Sequence, residues 1–119
     1  MLTLPPGTRL WVAAMPVDGR KGIDGLSALI RSHLGKDPLS GELYVFFTKR
    51  ANRVRVLYFD RDGYVLVTKR LEKGRFRMPW VQHGEALEVE AAELLLVLEG
   101  IELASATRRQ RWSPRRRAA

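Results

Sequence analysis

Apolar residues fall into short runs along this chain, and their spacing changes from one segment to the next. Thr8–Ala13 (TRLWVA) is aromatic and β-branched enough for a first strand, which Pro16 closes. From Gly19 or Arg20 to Leu34 the spacing becomes helical. Ile23, Leu26, Ile30 and Leu34 make one stripe, flanked by Leu29 and His33. Asp18 stands where an N-cap would, Gly35 suits the left-handed position beyond the helix, and Pro38 prevents resumption. Gly22 and Gly25 each cost about 1 kcal/mol of helix propensity relative to alanine, which is read as room for another backbone.

Strand patterns follow. Leu43–Thr48 (LYVFFT) is almost continuously apolar, as a central strand is. In Arg53–Phe59 the residues alternate, with Arg53 and Arg55 on one face and Val54 and Val56 on the other. Asp62–Gly63 within DRDG turns the chain into Tyr64–Leu71. Glu72–Lys73–Gly74 turns it again into Arg75–Trp80, where Arg75 and Arg77 alternate with Phe76 and Met78. Pro79 ends that strand or keeps it at an edge. Glu85–Glu99 then reads as a second helix with Leu87, Ala91, Leu94, Leu95 and Leu98 as its stripe and Gly100 as its stop. The expected fold is α+β: an antiparallel β-meander of about four to five strands, with one helix after the first strand and one C-terminal helix. Residues 1–103 form the domain and residues 104–119 a basic, mobile tail.

Composition sharpens this picture through its charge. The chain has 119 residues, enough for one domain, and a net charge of +8, which favours anionic partners. Lys49 to Arg77 carries ten basic residues against three acids, on strands and tight turns that hold charge in fixed geometry. Met78 to Thr107 has six glutamates and no basic residue, and Arg108 to Arg117 has six arginines and no acid. The acidic and basic blocks either neutralise each other within the fold or leave a cationic face for nucleic acid. The chain has no cysteine, which agrees with a reducing, cytoplasmic setting. No secretory signal pattern and no apolar stretch near the roughly 18 residues that span a bilayer is visible.

Candidate chemistry is sparse. His33 and His83 have no ligand-spaced neighbours, so neither a metal nor another cofactor is expected. Asp60 and Asp62 share a strand end but read first as turn residues, and no catalytic residue is assigned. The candidate phosphate contacts are Lys49, Arg50, Arg53, Arg55, Lys69, Arg70, Lys73, Arg75 and Arg77 on the hairpins. Arg20 and Lys21 at the first helix and Arg108, Arg109 and Arg111 in the tail complete the set.

Five segments in order carry a family resemblance: LPPGTRLWVAAM (Leu4–Met15), DGRKGIDGL (Asp18–Leu26), DPLSGELYVF (Asp37–Phe46), NRVRVLYFDRDG (Asn52–Gly63) and KRLEKGRFRMP (Lys69–Pro79). A fainter echo follows in AELLLVLEGI (Ala92–Ile101). Together they resemble the TnpB accessory proteins of the insertion-sequence sixty-six family, the products of its second open reading frame. The resemblance implies a bacterial protein of a mobile element that works beside a separate, larger transposase and carries no strand-cutting chemistry. It is distinct from the much longer RNA-guided nucleases that share the name. Two readings stand. One is a non-enzymatic accessory factor binding element-end DNA, or a transposase–DNA complex, through the basic hairpins. The other is a module docking on the transposase without DNA contact, through Leu94, Leu95 and Leu98.

Overall fold

A computed structural model of the protein describes residues 7–77 and 86–98. In chain order its elements are β1 (Leu10–Ala13), α1 (Ile23–Ser32), β2 (Leu43–Phe47), β3 (Arg53–Asp60), β4 (Gly63–Arg70), β5 (Ala86–Val89) and α2 (Ala91–Leu98). The strands form one five-stranded sheet in the order β4-β3-β2-β1-β5. The fold is α+β, but the sheet is mixed and not an antiparallel meander: β1 and β2 run parallel, and the other neighbours are antiparallel. The reason is the crossover through α1, which returns the chain to the end of the sheet where β1 began.

β2 occupies the middle, and all five of its residues are buried. Its alternating side chains feed two cores. Tyr44 and Phe46 join Ala13, Leu57, Leu26 and Ile30 on the face covered by α1. Leu43, Val45 and Phe47 join Leu10, Val12, Val54, Val56 and Val89 on the other face, closed by Phe76 and by Leu94 of α2.

Helix α1 starts at Ile23, later than the pattern indicates, with Gly22 at the N-cap position and no side-chain cap. Asp18 is engaged upstream, where its carboxylate accepts the Arg20 backbone N–H at 2.8 Å and its carbonyl accepts that of Lys21 at 3.1 Å. These bonds make a turn ahead of the helix. No other backbone approaches the helical glycines: a Cβ on Gly25 would meet only the Lys21 side chain, and one on Gly22 nothing within 4 Å. At the far end Gly35 takes φ +63°, and the Lys36 N–H turns back to the Ile30 carbonyl.

Two later expectations are corrected. Residues 75–77 form no strand, and the rest of the expected Arg75–Trp80 strand lies outside the described residues. Phe76 drops into the core instead. Its ring packs edge-on against Phe47 with centroids 5.7 Å apart, and its N–H donates to the Ala51 carbonyl. The expected Glu85–Glu99 helix is likewise split. Residues 86–89 pair antiparallel with β1, Leu10 opposite Val89, because Leu87 and Val89 alternate with Glu88 and fit a half-buried edge strand. The helix begins only at Ala91, where the Glu93 carboxylate accepts the Glu90 N–H at 3.0 Å, the second half of a capping box. Its expected stop at Gly100 lies outside the described residues.

Phe76 is 4% exposed and closes one core. Phe76→Ala is expected to lose on the order of 3 kcal/mol, as buried phenylalanine truncations do. Urea denaturation of the two proteins, compared at equal slope, measures the loss.

Candidate nucleic-acid interface

Two segments meet at one end of the sheet. Beyond β1, Val17 continues the parallel pairing by bridging to Thr48, and its N–H donates to the Phe47 carbonyl at 2.9 Å. This brings residues 17–21 beside the turn that joins β2 to β3. Ala51 adopts φ +59° in that turn, and its N–H closes onto the Thr48 carbonyl. Between the segments lies an open cavity of about 430 Å³, with Arg20, Lys49, Arg50 and Arg53 supplying its charge. Among the described residues that line it, Asp18 is the only acid.

Arg53 and Arg55 share a strand face, as alternation indicates, yet they meet different surroundings. The Arg55 guanidinium donates to the Thr68 hydroxyl at 2.9 Å and, through Nη1, to the carbonyls of Gly19 at 3.1 Å and Lys21 at 2.8 Å. It ties the lead-in to α1 onto the sheet. Burial, and then the neighbouring Arg53 charge, push its pKa below the ordinary guanidinium value. Arg53 reaches past Gly19, where a Cβ would lie 3.2 Å from its Nη1, and it lines the cavity. Across the ladder it faces Arg70, which bonds Glu72 at 3.0 Å in an exposed pair.

The remaining candidates are dispersed. Arg20 clasps Asp18 through Nε and Nη2. Lys21 gives its carbonyl to Arg55, and its side chain lies along Gly25. Lys69 is opposite Val54 and so belongs to the other sheet face. Lys73, Arg75 and Arg77 are exposed along 72–77, away from any strand alternation. Arg108, Arg109 and Arg111 lie outside the described residues. Leu94 is in the core and Leu95 is 41% exposed. Leu98 ends α2, with its side chain outside the description.

Sequence reasoning missed Gly19, Thr48 and Asn52, which also line the cavity. No spacing connects them, because the connection is the Val17–Thr48 bridge. It also missed Trp11, whose ring is covered by Lys36 Nζ at 3.3 Å and by the Arg9 guanidinium at 4.9 Å. Among the described residues no cluster of three or more His, Asp or Glu side chains could hold a metal ion, and no helix is long and apolar enough to cross a membrane.

A small mixed sheet with helical cover and one cationic end defines an α+β domain whose distinctive surface is basic. The chain belongs to the family described as IS66 Orf2 like protein, whose pattern matches residues 8–108. That span includes most of the resembling segments and continues past Pro79. Membership ties the chain to an insertion sequence, in an accessory role. It is 44% identical over 96 residues to the uncharacterized protein y4jC of Sinorhizobium fredii, covering 81% of each chain. It is 36% identical over 101 residues to y4hO of the same organism, also described as uncharacterized, covering 83% of this chain and 87% of that one. No solved structure matches.

Two expected outcomes follow from the geometry. Arg55→Met removes donors from two backbone carbonyls and should cost on the order of 2 kcal/mol of stability, read by urea denaturation. Asp18 is held at about 2, chiefly by the Arg20 side chain, then by the Arg20 N–H, with Lys49 adding. A lowered carboxylate favours the folded state above its ordinary value near 3.8 and loses that contribution as pH falls toward 2. A carboxyl NMR titration should place the Asp18 midpoint near 2, and Arg20→Gln should raise it.

Proposed function

We propose that the protein is a non-enzymatic accessory factor of DNA transposition that holds phosphates of element DNA, or of a transposase–DNA complex, at the cationic end of its sheet. The observation that carries this reading is the surplus charge around the cavity. Lys49, Arg50 and Arg53 line it, and none has a carboxylate within ion-pair distance among the described residues. Asp18, the one acid among the described lining residues, is already matched by Arg20. Backbone segments bridged to the sheet fix these cations, so less conformational freedom is lost on binding than in a tail. Membership in the IS66 Orf2 like family supports a role in transposition, and in this reading the protein works in a bacterial cytoplasm beside the transposase of the same element.

The roles divide by position. Lys49, Arg50 and Arg53 contact phosphate, and Arg20 flanks them with its charge partly committed to Asp18. Arg55 holds the walls together. Docking on the transposase through α2 is the weaker reading, because Leu94 is committed to the core.

Fluorescence anisotropy with duplex DNA across a salt series tests the assignment. Neutralising Lys49, Arg50 and Arg53 together to Gln should weaken binding. It should also flatten the log–log salt slope by about 0.9 for each phosphate that is no longer neutralised. Neutralising Lys73 and Arg75 should change both much less. Wild-type affinity and slope in the triple variant would overturn the assignment.

A further inference from the structure

Strand β4 ends the sheet, and among the described residues nothing pairs with its outer edge. It is eight residues long and pairs with β3 without a bulge, residue for residue from Gly63 opposite Asp60 to Arg70 opposite Arg53. The centre of the strand, YVLVT, has no charge and no proline. Edge strands are ordinarily protected by short length, inward charges, proline or a bulge, and this one has none of these over its central residues. From this edge we infer that two copies of the chain pair through β4, antiparallel about a twofold axis, to form one ten-stranded sheet.

Charge and parity select the register. A twofold axis perpendicular to the sheet sets residues of equal parity opposite each other, because side chains that face one another lie on the same side. With the axis at Leu66, Leu66 opposes its own copy, Val65 opposes Val67, Tyr64 opposes Thr68 and Asp62 opposes Arg70. Asp62 is exposed and makes no ion pair among the described residues. Arg70 holds only the exposed Glu72, a weak competitor. Moving the axis to Val67 would put Asp62 opposite Glu72, two like charges. The Leu66 register also covers Val67, which is 38% exposed in the single chain, with a β-branched neighbour from the second copy. The occupant of the edge is therefore a second copy, set by two Asp62–Arg70 pairs.

The chain has no cysteine, so an introduced one reports the register directly. Opposed residues of an antiparallel pair have Cα atoms about 4.5–5.5 Å apart, within disulfide range. Without DNA and under mild oxidation, Leu66→Cys should form a covalent dimer and Val67→Cys should not. Sedimentation equilibrium of the unmodified chain should show a concentration-dependent dimer. Asp62→Arg or Arg70→Asp alone should weaken it about tenfold, and the double exchange should restore it. Both positions are exposed, and Arg70→Asp sets an acid opposite Arg53 within one copy, so loss of pairing would not report loss of folding. A monomer at every concentration would overturn the inference and leave the edge to a strand of another protein. Preferential cross-linking of Val67→Cys would overturn the register. Because no DNA is present, these outcomes are independent of the phosphate assignment.

Discussion

Everything in this fold answers to the burial of β2 on both faces. Five consecutive apolar side chains point alternately up and down from the middle of the sheet, so neither face can be left to water. On one side α1 supplies Leu26 and Ile30, and on the other Phe76 and Leu94 do the covering. The helix that covers the first face must leave β1 and return before β2, which makes that pair parallel. Continuation of the pairing to Val17 and Thr48 fixes the loops carrying Arg20, Lys49 and Arg50. The cationic end is therefore a by-product of core formation, held by the same strands that bury the aromatic residues.

Within that frame, position along one strand decides what an arginine does. Arg53 and Arg55 are two residues apart on the same face. Arg55 lies under the lead-in to α1, where the carbonyls of Gly19 and Lys21 point at it. Bonds from a charged donor to such acceptors contribute about 1.5–3 kcal/mol and leave little of the guanidinium for a ligand. Arg53, one step nearer the sheet end, passes beside Gly19 into the cavity. Loss of Arg55 would loosen the wall against which Arg53 rests.

Elements with a strong period were legible in the sequence, and those set by pairing partners were not. The continuous apolar run of β2, the alternation of β3 and the turn chemistry of DRDG all carry their own signal, although the turn falls on Arg61 and Asp62, with Arg61 at φ +56°, and Gly63 already opens β4 opposite Asp60. The segment 86–89 carries two: its leucine, glutamate and valine suit a helix stripe as well as an edge strand. Only the presence of β1 as a neighbour decides for the strand. Phe76 shows the opposite failure, since its alternation with Arg75 and Arg77 imitates a strand, whereas the ring is taken by a gap beside Phe47. The basic residues of the site were readable as charge. Their grouping was not, because it depends on a bridge between residues 31 positions apart.

The sheet order also bears on whether the acidic block neutralises the basic one. Glu88 lies on β5, at the edge opposite β4, and it bonds Arg9 at 2.8 Å. The Glu93 carboxylate is engaged at the start of α2, where it accepts the Glu90 N–H. With strands about 4.8 Å apart, β5 stands roughly 14 Å from β3 and 19 Å from β4. The Debye length at physiological ionic strength is about 8 Å, so Glu88 scarcely reduces the potential at Arg53 or Arg70. Topology separates what composition mixes: Glu88 is paired with Arg9 at the β5 edge, while Arg20, Lys49, Arg50 and Arg53 gather at the end of the sheet where β2 turns into β3.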